Sequence, residues 1–328
     1  MTASDAPILS VVVAIASDTT SPTDCRHLGP CLAALRQQSG APPMEVIVPL
    51  PAGVIGVEAL RSEYPEARIL EVRNLRKYSR KGNSREHHGE LIAHGFAAAR
   101  GSIVGLIEDH ERVAPQWSSV AVNALGGTFA GAGGAIENGV DRPLNWALCF
   151  CDFLRYQNPL PEGESPRASD ANSIYQRSAL ENIRDIWQQE YHEAPVNAAL
   201  AARGEKLRMV PELVVYQHRQ GLRIGSALRE RFVWGRSFGA WRMHEPGARR
   251  ILWAVCSPGF PLLIMARMSL MAFRKRRTFG PFLRVLPLTT LLTVGWVCGE
   301  LTGYLTGRAL SADAQAAQAL ARGSQVVT

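Results

Sequence analysis

The stretch GSIVGLIEDHERVAPQW, residues 101–117, decides how the chain is read. Ile103 to Ile107 is an apolar run of strand length that passes directly into Glu108, Asp109, His110 and Glu111. A short continuous apolar run fits a strand buried on both faces, as in a parallel sheet. Polar groups at the carboxyl end of such a strand lie where an open α/β sheet keeps its ligand crevice. A divalent ion held there by carboxylate or imidazole would neutralise a departing diphosphate. The plain alternative is a solvated acidic turn.

Working outward, the flanks alternate strand and helix. Ile8 to Ala16 (ILSVVVAIA) reads as a second doubly buried strand, and Cys31 to Gln38 has helical spacing. Met44 to Val48 is a further strand, which Pro49 and Pro51 are expected to stop. Val57 to Glu63 reads as helix, Ala67 to Val72 as strand and Glu90 to Arg100 as an Ala-rich helix. That order is the pattern of a doubly wound α/β sheet. The stretch Arg73 to Arg85 carries six basic residues and no acid. Its one aromatic, Tyr78, makes a poor stacking platform, so nucleic-acid binding is not expected.

Downstream, Gln116 to Leu125 has helical spacing, and Gly131 to Ile136 is a small-residue strand ending at Glu137, Asn138 and Gly139. Asn145 to Tyr156 reads as an aromatic-rich helix and the Pro-rich Asn158 to Arg167 as a mobile loop. Ala171 to Tyr175 is a short strand and Ala179 to Trp187 a helix. Glu193 to Arg203 is a helix closed by Gly204. Leu207 to Tyr216 is a last strand, placed at a sheet edge because it contains Pro211. Gly225 to Trp241 is a basic, aromatic-rich helix.

Two apolar stretches follow, Ile251 to Phe273 and Leu283 to Leu305, each long enough to cross a bilayer. Each has defects: Pro258, Pro261 and Arg267 in the first, Pro287 and Glu300 in the second. If both crossed, the link Arg274, Lys275, Arg276, Arg277 would lie on the side of the membrane opposite the α/β domain, against the positive-inside rule for a domain facing the cytoplasm. A re-entrant or interfacial hairpin resolves the conflict, as does one span by the second segment. A buried helical hairpin or a dimer interface is the bland reading.

Over all 328 residues the net charge is +7, which favours an anionic partner such as a phosphate-bearing substrate or an acidic membrane. None of the six cysteines has zinc-knuckle spacing, so all are read as reduced and structural. Met1 to Pro7 does not read as a secretory signal. The glycines of Gly126 to Gly134 lie between helix and strand, the wrong order for a dinucleotide loop. Neither a phosphate-binding lysine loop nor a serine nucleophile elbow is found.

Residues 101–117 resemble the donor-and-metal motif of GT-A-fold inverting glycosyltransferases (glycosyltransferase family 2-like), in a membrane-associated branch. That motif is an apolar strand, an Asp-x-Asp-type triplet, a proline and a tryptophan. LSVVVAIAS (residues 9–17) resembles the family's first strand and nucleotide-facing turn, and Gly82 to Gly101 the segment before the metal motif. SIYQR (residues 173–177) is similar to its acceptor-lining strand. Residues 190–218 resemble its Glu-Asp helix, glycine turn and closing strand. RERFVWGR (residues 229–236) resembles the basic-aromatic segment after the late histidine.

The resemblance implies a GT-A doubly wound α/β domain over residues 1–220 and a basic amphipathic helix over 221–250. It also implies an apolar membrane-associated helical hairpin over 251–310 and a tail over 311–328. It implies transfer of a sugar from a nucleotide-diphosphate donor to a lipid or envelope-glycan acceptor with inversion, at the cytoplasmic face of the inner membrane. Glu193 then stands at the catalytic base. Ser17, Arg85, Glu108 and Asp109 contact the donor. Asn138, Gln176, Arg177, Trp187 and His192 contact the acceptor. Glu108, His110 and His218 hold Mn²⁺ or Mg²⁺. Two departures stand out. The second strand ends Val48-Pro49-Leu50-Pro51 without the acid that holds the nucleotide, a task left to Asp18 or Glu45. His192-Glu193 also replaces Glu-Asp. The alternative is therefore a catalytically silent relative that binds a glycan or partner at the membrane.

Overall fold

The computed structural model describes residues 6–16, 25–75, 87–126, 128–242 and 247–308. In chain order its elements begin β1 (Leu9–Ala14), α1 (Leu28–Arg36), β2 (Met44–Pro51), α2 (Val57–Glu63), β3 (Ala67–Val72) and α3 (His88–Ala98). Next come β4 (Ile103–Glu108), β5 (Glu111–Val113), α4 (Trp117–Ala124), β6 (Phe129–Asn138) and α5 (Pro143–Phe153). There follow β7 (Gly163–Ser165), β8 (Asn172–Gln176), α6 (Arg177–Glu181), α7 (Arg184–Trp187), α8 (Glu193–Ala202) and β9 (Lys206–Gln217). The chain closes with α9 (Ile224–Arg242), α10 (Ala248–Cys256), α11 (Phe260–Arg274), α12 (Phe279–Arg284) and α13 (Leu286–Thr306). The described residues form two compact units: those up to 139 together with 156–218 make the first, and 140–155 with those from 219 to 308 the second.

The first unit is a mixed α/β sheet in the order β3-β2-β1-β4-β8-β6-β9-β5, with β7 also on β9. β3, β2, β1 and β4 run parallel. β8 is antiparallel to both β4 and β6, which lets β6 pair parallel with β9. Alternation along β4 shows why its run is apolar throughout. Val104 and Leu106 join a core cluster with Ile92 and Phe96 of α3, while Gly105 faces Trp117 of α4. Helices thus cover both faces, and every side chain of β4 is buried.

Four expectations are corrected. Pro49 and Pro51 do not stop β2, which continues to Pro51. Pairing with β1 ends at Ile47, so beyond it the strand has β3 alone and missing amides cost little. Nor is β9 an edge: β6 runs along one side, and β7 then β5 occupy the other. Pro211 is accommodated because the register jumps from Gly134↔Val210 to Ala135↔Val214, a bulge that removes it from the ladder. The stretch 158–167, expected as a mobile loop, contains β7. The helix expected over 179–187 is broken into α6 and α7.

The second unit is helical. α9 and α13 pack so closely that a Cβ at Gly235 or Gly239 of α9, or at Gly299 or Gly303 of α13, would overlap the other helix's backbone. α9, expected as a basic helix, is also the principal partner of α13. α5 belongs here rather than to the α/β domain, because Ala147, Leu148, Phe150 and Leu154 share a core with Ala227, Phe282 and Leu292. Buried charges are paired: buried Arg231 with the more exposed Asp152, buried Glu230 with Arg219 at 2.7 Å, and buried Glu300 with Arg242 at 3.6 Å. Among the described residues one helical stretch is long and apolar enough to cross a membrane, Ala248–Arg274, with mean hydropathy 1.5.

Candidate active site

The polar groups gather at the carboxyl end of β1 and β4. Asp109 joins the two strand ends: its backbone N–H donates to the Ala14 carbonyl (2.9 Å) and its Oδ1 accepts from the Ala16 N–H (2.9 Å). The chain then turns at Asp109 and His110 and pairs as β5 with the end of β9. This pairing brings residues 108–111 against residues 215–218.

His110 is buried, with Nδ1 3.2 Å from Asp109 Oδ1 and Nε2 3.3 Å from Glu108 Oε2. Gln217 Nε2 donates to Glu111 Oε1 (2.6 Å) and to Glu108 Oε2 (3.3 Å). Glu111 also accepts the Glu108 N–H (2.8 Å). Burial, and then the charge of Glu108, push the Glu111 carboxyl well above the usual carboxylate range. His218 donates its backbone N–H to the His110 carbonyl (2.8 Å). Burial first, then Arg112 and His110, lower its imidazole pKa. Its ring fills the space beside Gly139, where any Cβ would overlap it.

A second cluster lies where α3, β8 and α8 begin. Tyr191 donates its N–H to the Gly89 carbonyl (2.9 Å), and a Cβ at Gly89 would collide with Tyr191. That close approach sets His88, at the start of α3, near Glu193, at the start of α8. His88 Nδ1 lies 3.1 Å from the Ile15 carbonyl, and its Nε2 lies 4.0 Å from Asp170 Oδ2. The Asp170 N–H donates to Glu193 Oε2 (3.3 Å). Burial, and then the charge of Asp170, push the Glu193 carboxyl up to about 8.

Of the expected residues, Glu108, Asp109, His110, Glu193 and His218 lie in these clusters. Asn138 ends β6 opposite Gln217. His192 caps α8 with Nε2 3.3 Å from Glu190 Oε1. Ser17 and Arg85, like Asp18, fall outside the described residues. Three of the expected acceptor contacts lie away from these clusters. Because β8 runs antiparallel to β4, Gln176 pairs with Ile103 at the opposite end of the sheet from Glu108. Gln176 there donates to the Phe129 carbonyl (2.9 Å), and the Arg177 N–H to that of Ser102 (2.8 Å). Trp187 is buried edge-on against Phe96 at 5.6 Å, and its Nε1 donates to the Leu180 carbonyl. Glu45, a possible nucleotide contact, opens β2 at that same remote end and is held by Ser10 and Arg100.

Asp170, His88 and Gln217 are the residues that sequence reasoning missed. The signal for Asp170 was available in SDAN, residues 169–172, polar groups ahead of a strand whose direction had not been assigned. Among the described residues no group of three or more His, Cys, Asp or Glu side chains is spaced to hold a metal ion. The expected trio Glu108, His110 and His218 does not form such a group. The 3.3 Å between Glu108 Oε2 and His110 Nε2 suits two donors on one ion of about 2.1 Å bond length, so these two residues fit a divalent cation.

No protein-family model and no curated protein matches the chain. Solved structures do. One is the mannosyltransferase PcManGT from Pyrobaculum calidifontis in complex with GDP-Man and Mn²⁺, 17% identical, covering 98% of this chain and 80% of that one at a TM-score of 0.46. Another is S. aureus TarS 1-349 in complex with UDP, 11% identical, covering 91% and 90% at 0.44. With both TM-scores below 0.5, the case for function rests on the side chains described above.

Proposed function

We propose that the chain is an inverting glycosyltransferase that moves a sugar from a nucleotide-diphosphate donor to a lipid or envelope-glycan acceptor. The place of action is the cytoplasmic face of the inner membrane. The carrying observation is Glu193, a half-buried carboxyl raised to about 8 at the same end of the sheet as the Glu108–His110 pair. A base near the working pH is what abstraction of a hydroxyl proton asks for. Glu193 takes the acceptor O–H proton as that oxygen bonds to C1 from the face opposite the diphosphate. The C1–O bond to the diphosphate breaks, and its electron pair leaves on the nucleoside diphosphate. A bound Mn²⁺ or Mg²⁺ supplies charge neutralisation for that leaving group. Glu108 and His110 would hold the ion, and Asp109 fixes the turn that carries them.

The absence of an acid where β2 ends favours a second reading, a silent relative that binds a glycan or partner without transfer. Calorimetry with UDP, GDP and dTDP, with and without Mn²⁺, separates the two. Metal-dependent binding of one nucleotide, lost in His110→Ala, supports the enzyme and names its donor class. A folded protein that binds none of them would overturn the transfer reading.

A further inference from the structure

The two apolar stretches at the end of the chain look alike in sequence and differ in the structure. α13 is packed: Thr289, Leu292, Thr293, Val297, Gly299, Gly303 and Tyr304 are buried, largely against α9. Residues Ala248–Arg274, comprising α10, a turn at Ser257–Gly259 and α11, are only 6% buried over their apolar window. One side of this arm seats Met265, Met268, Met271 and Ala272 on the helical unit. The other side presents Ile251 (67% exposed), Val255 (72%), Leu262 (79%) and Phe273 (61%). Leu252, Leu263 and Leu270 flank them, giving a single apolar stripe along the arm. A core helix of a water-soluble unit would not leave such a stripe uncovered.

Charge identifies the occupant. Arg249 and Arg250 open the arm; Arg274, Lys275, Arg276 and Arg277 close it, with no acid anywhere from Ala248 to Arg277. Cationic ends around an apolar stripe complement an anionic lipid leaflet. Arg267 decides the orientation. It is exposed between Leu263 and Leu270, well inside the stretch. A crossing helix would carry that guanidinium into hydrocarbon at a cost of roughly 2.5–3.5 kcal/mol or more at the bilayer centre. Lying in the plane of the leaflet lets Arg267 reach the headgroups along with both ends.

We infer that Ala248–Arg274 alone is the lipid-binding element, an in-plane interfacial arm on an anionic leaflet, while α13, packed along one face on α9, does not bind lipid. This holds whether or not the first unit transfers a sugar, so its test is independent of nucleotide binding.

The test is flotation of the purified full-length protein with phosphatidylcholine vesicles and with vesicles containing about a third phosphatidylglycerol. Binding should be at least tenfold stronger to the anionic vesicles and should weaken as salt rises. Leu252→Glu and Leu262→Glu, at exposed sites, should each lower it at least fivefold with thermal unfolding unchanged. Leu291→Glu, on the exposed side of α13, should leave it intact. For orientation, Arg249→Cys and Arg277→Cys are made with Cys256 and Cys298 replaced by Ser. Both should react with an impermeant maleimide from the side to which protein was added. Protection of one of the two would mean a crossing helix and overturn the in-plane arm. Equal loss with Leu291→Glu would overturn the distinction between the segments. A soluble dimer that sheds both vesicle types would show that a second copy covers the stripe, and would overturn lipid binding altogether.

Discussion

At the carboxyl end of the sheet, Glu108 and Glu111 share the amide of Gln217, and Glu193 lies against Asp170. In the helical unit, Asp152, Glu230 and Glu300 each face an arginine instead. Both regions bury charge, and both carry the desolvation cost that burial brings. The helical unit offsets it at once, with guanidinium partners that also fix the register of neighbouring helices. The sheet sets acid beside acid, and burial together with the neighbouring negative charge raises the carboxyls of Glu111 and Glu193. Buried like charges of this kind are a mark of working sites rather than of scaffolding.

The contrast can be broken in several ways. The largest expected effect is at Glu193→Gln, where transfer should fall about 10³-fold while nucleotide binding by calorimetry is kept. Unchanged transfer would reduce the acid pair to structure. Next is Arg231→Met, which leaves Asp152 facing an apolar side chain and Trp296 without the guanidinium stacked 4.6 Å over its ring. Because Asp152 keeps contact with solvent, the cost should be about 1 kcal/mol of stability in denaturant titration, mostly recovered by adding Asp152→Leu. Recovery would show that this charge serves packing alone.

A smaller effect is expected at Asp170→Asn. Removing the neighbouring negative charge should lower the Glu193 pKa and move the acidic limb of the kcat/KM–pH profile down by about one unit. An unmoved limb would mean that burial alone sets Glu193. The smallest effect concerns stability. Between about 4.5 and about 8 the unfolded chain releases the Glu193 proton and the folded chain keeps it, so this carboxyl's contribution fades as pH rises through that window. Thermal unfolding of Glu193→Gln should lack that decline, and the gap to the parent protein should widen toward pH 8.

The first half of the sheet was legible because its signals are local. LSVVVA, MEVIV and IVGLI are β-branched runs of strand length, and the structure makes strands of all three. Glu193 and the 108–111 cluster were legible by resemblance and by their place at element ends. What the sequence hid was pairing. Nothing local in NSIYQ states that β8 runs antiparallel to β4, and that direction alone exchanges Gln176 for Asp170 at the site. Pro211 was read as an edge signal because the bulge that tolerates it depends on β6, some 75 residues earlier. The apolar face of α5 looked like domain core and is one, but of the other unit.

The position of β9 also bears on how the chain is made. It enters between β6 on one side and β7 and β5 on the other, all of which precede it in the chain. A nascent chain emerging from the ribosome must keep that slot open, with strand edges facing water, until residues 206–217 arrive. Only then do Gln217 and His218 reach the acids of the 108–111 turn. The cluster is therefore finished late in synthesis, and a message cut short before β9 yields a sticky, unfinished sheet rather than a smaller folded domain.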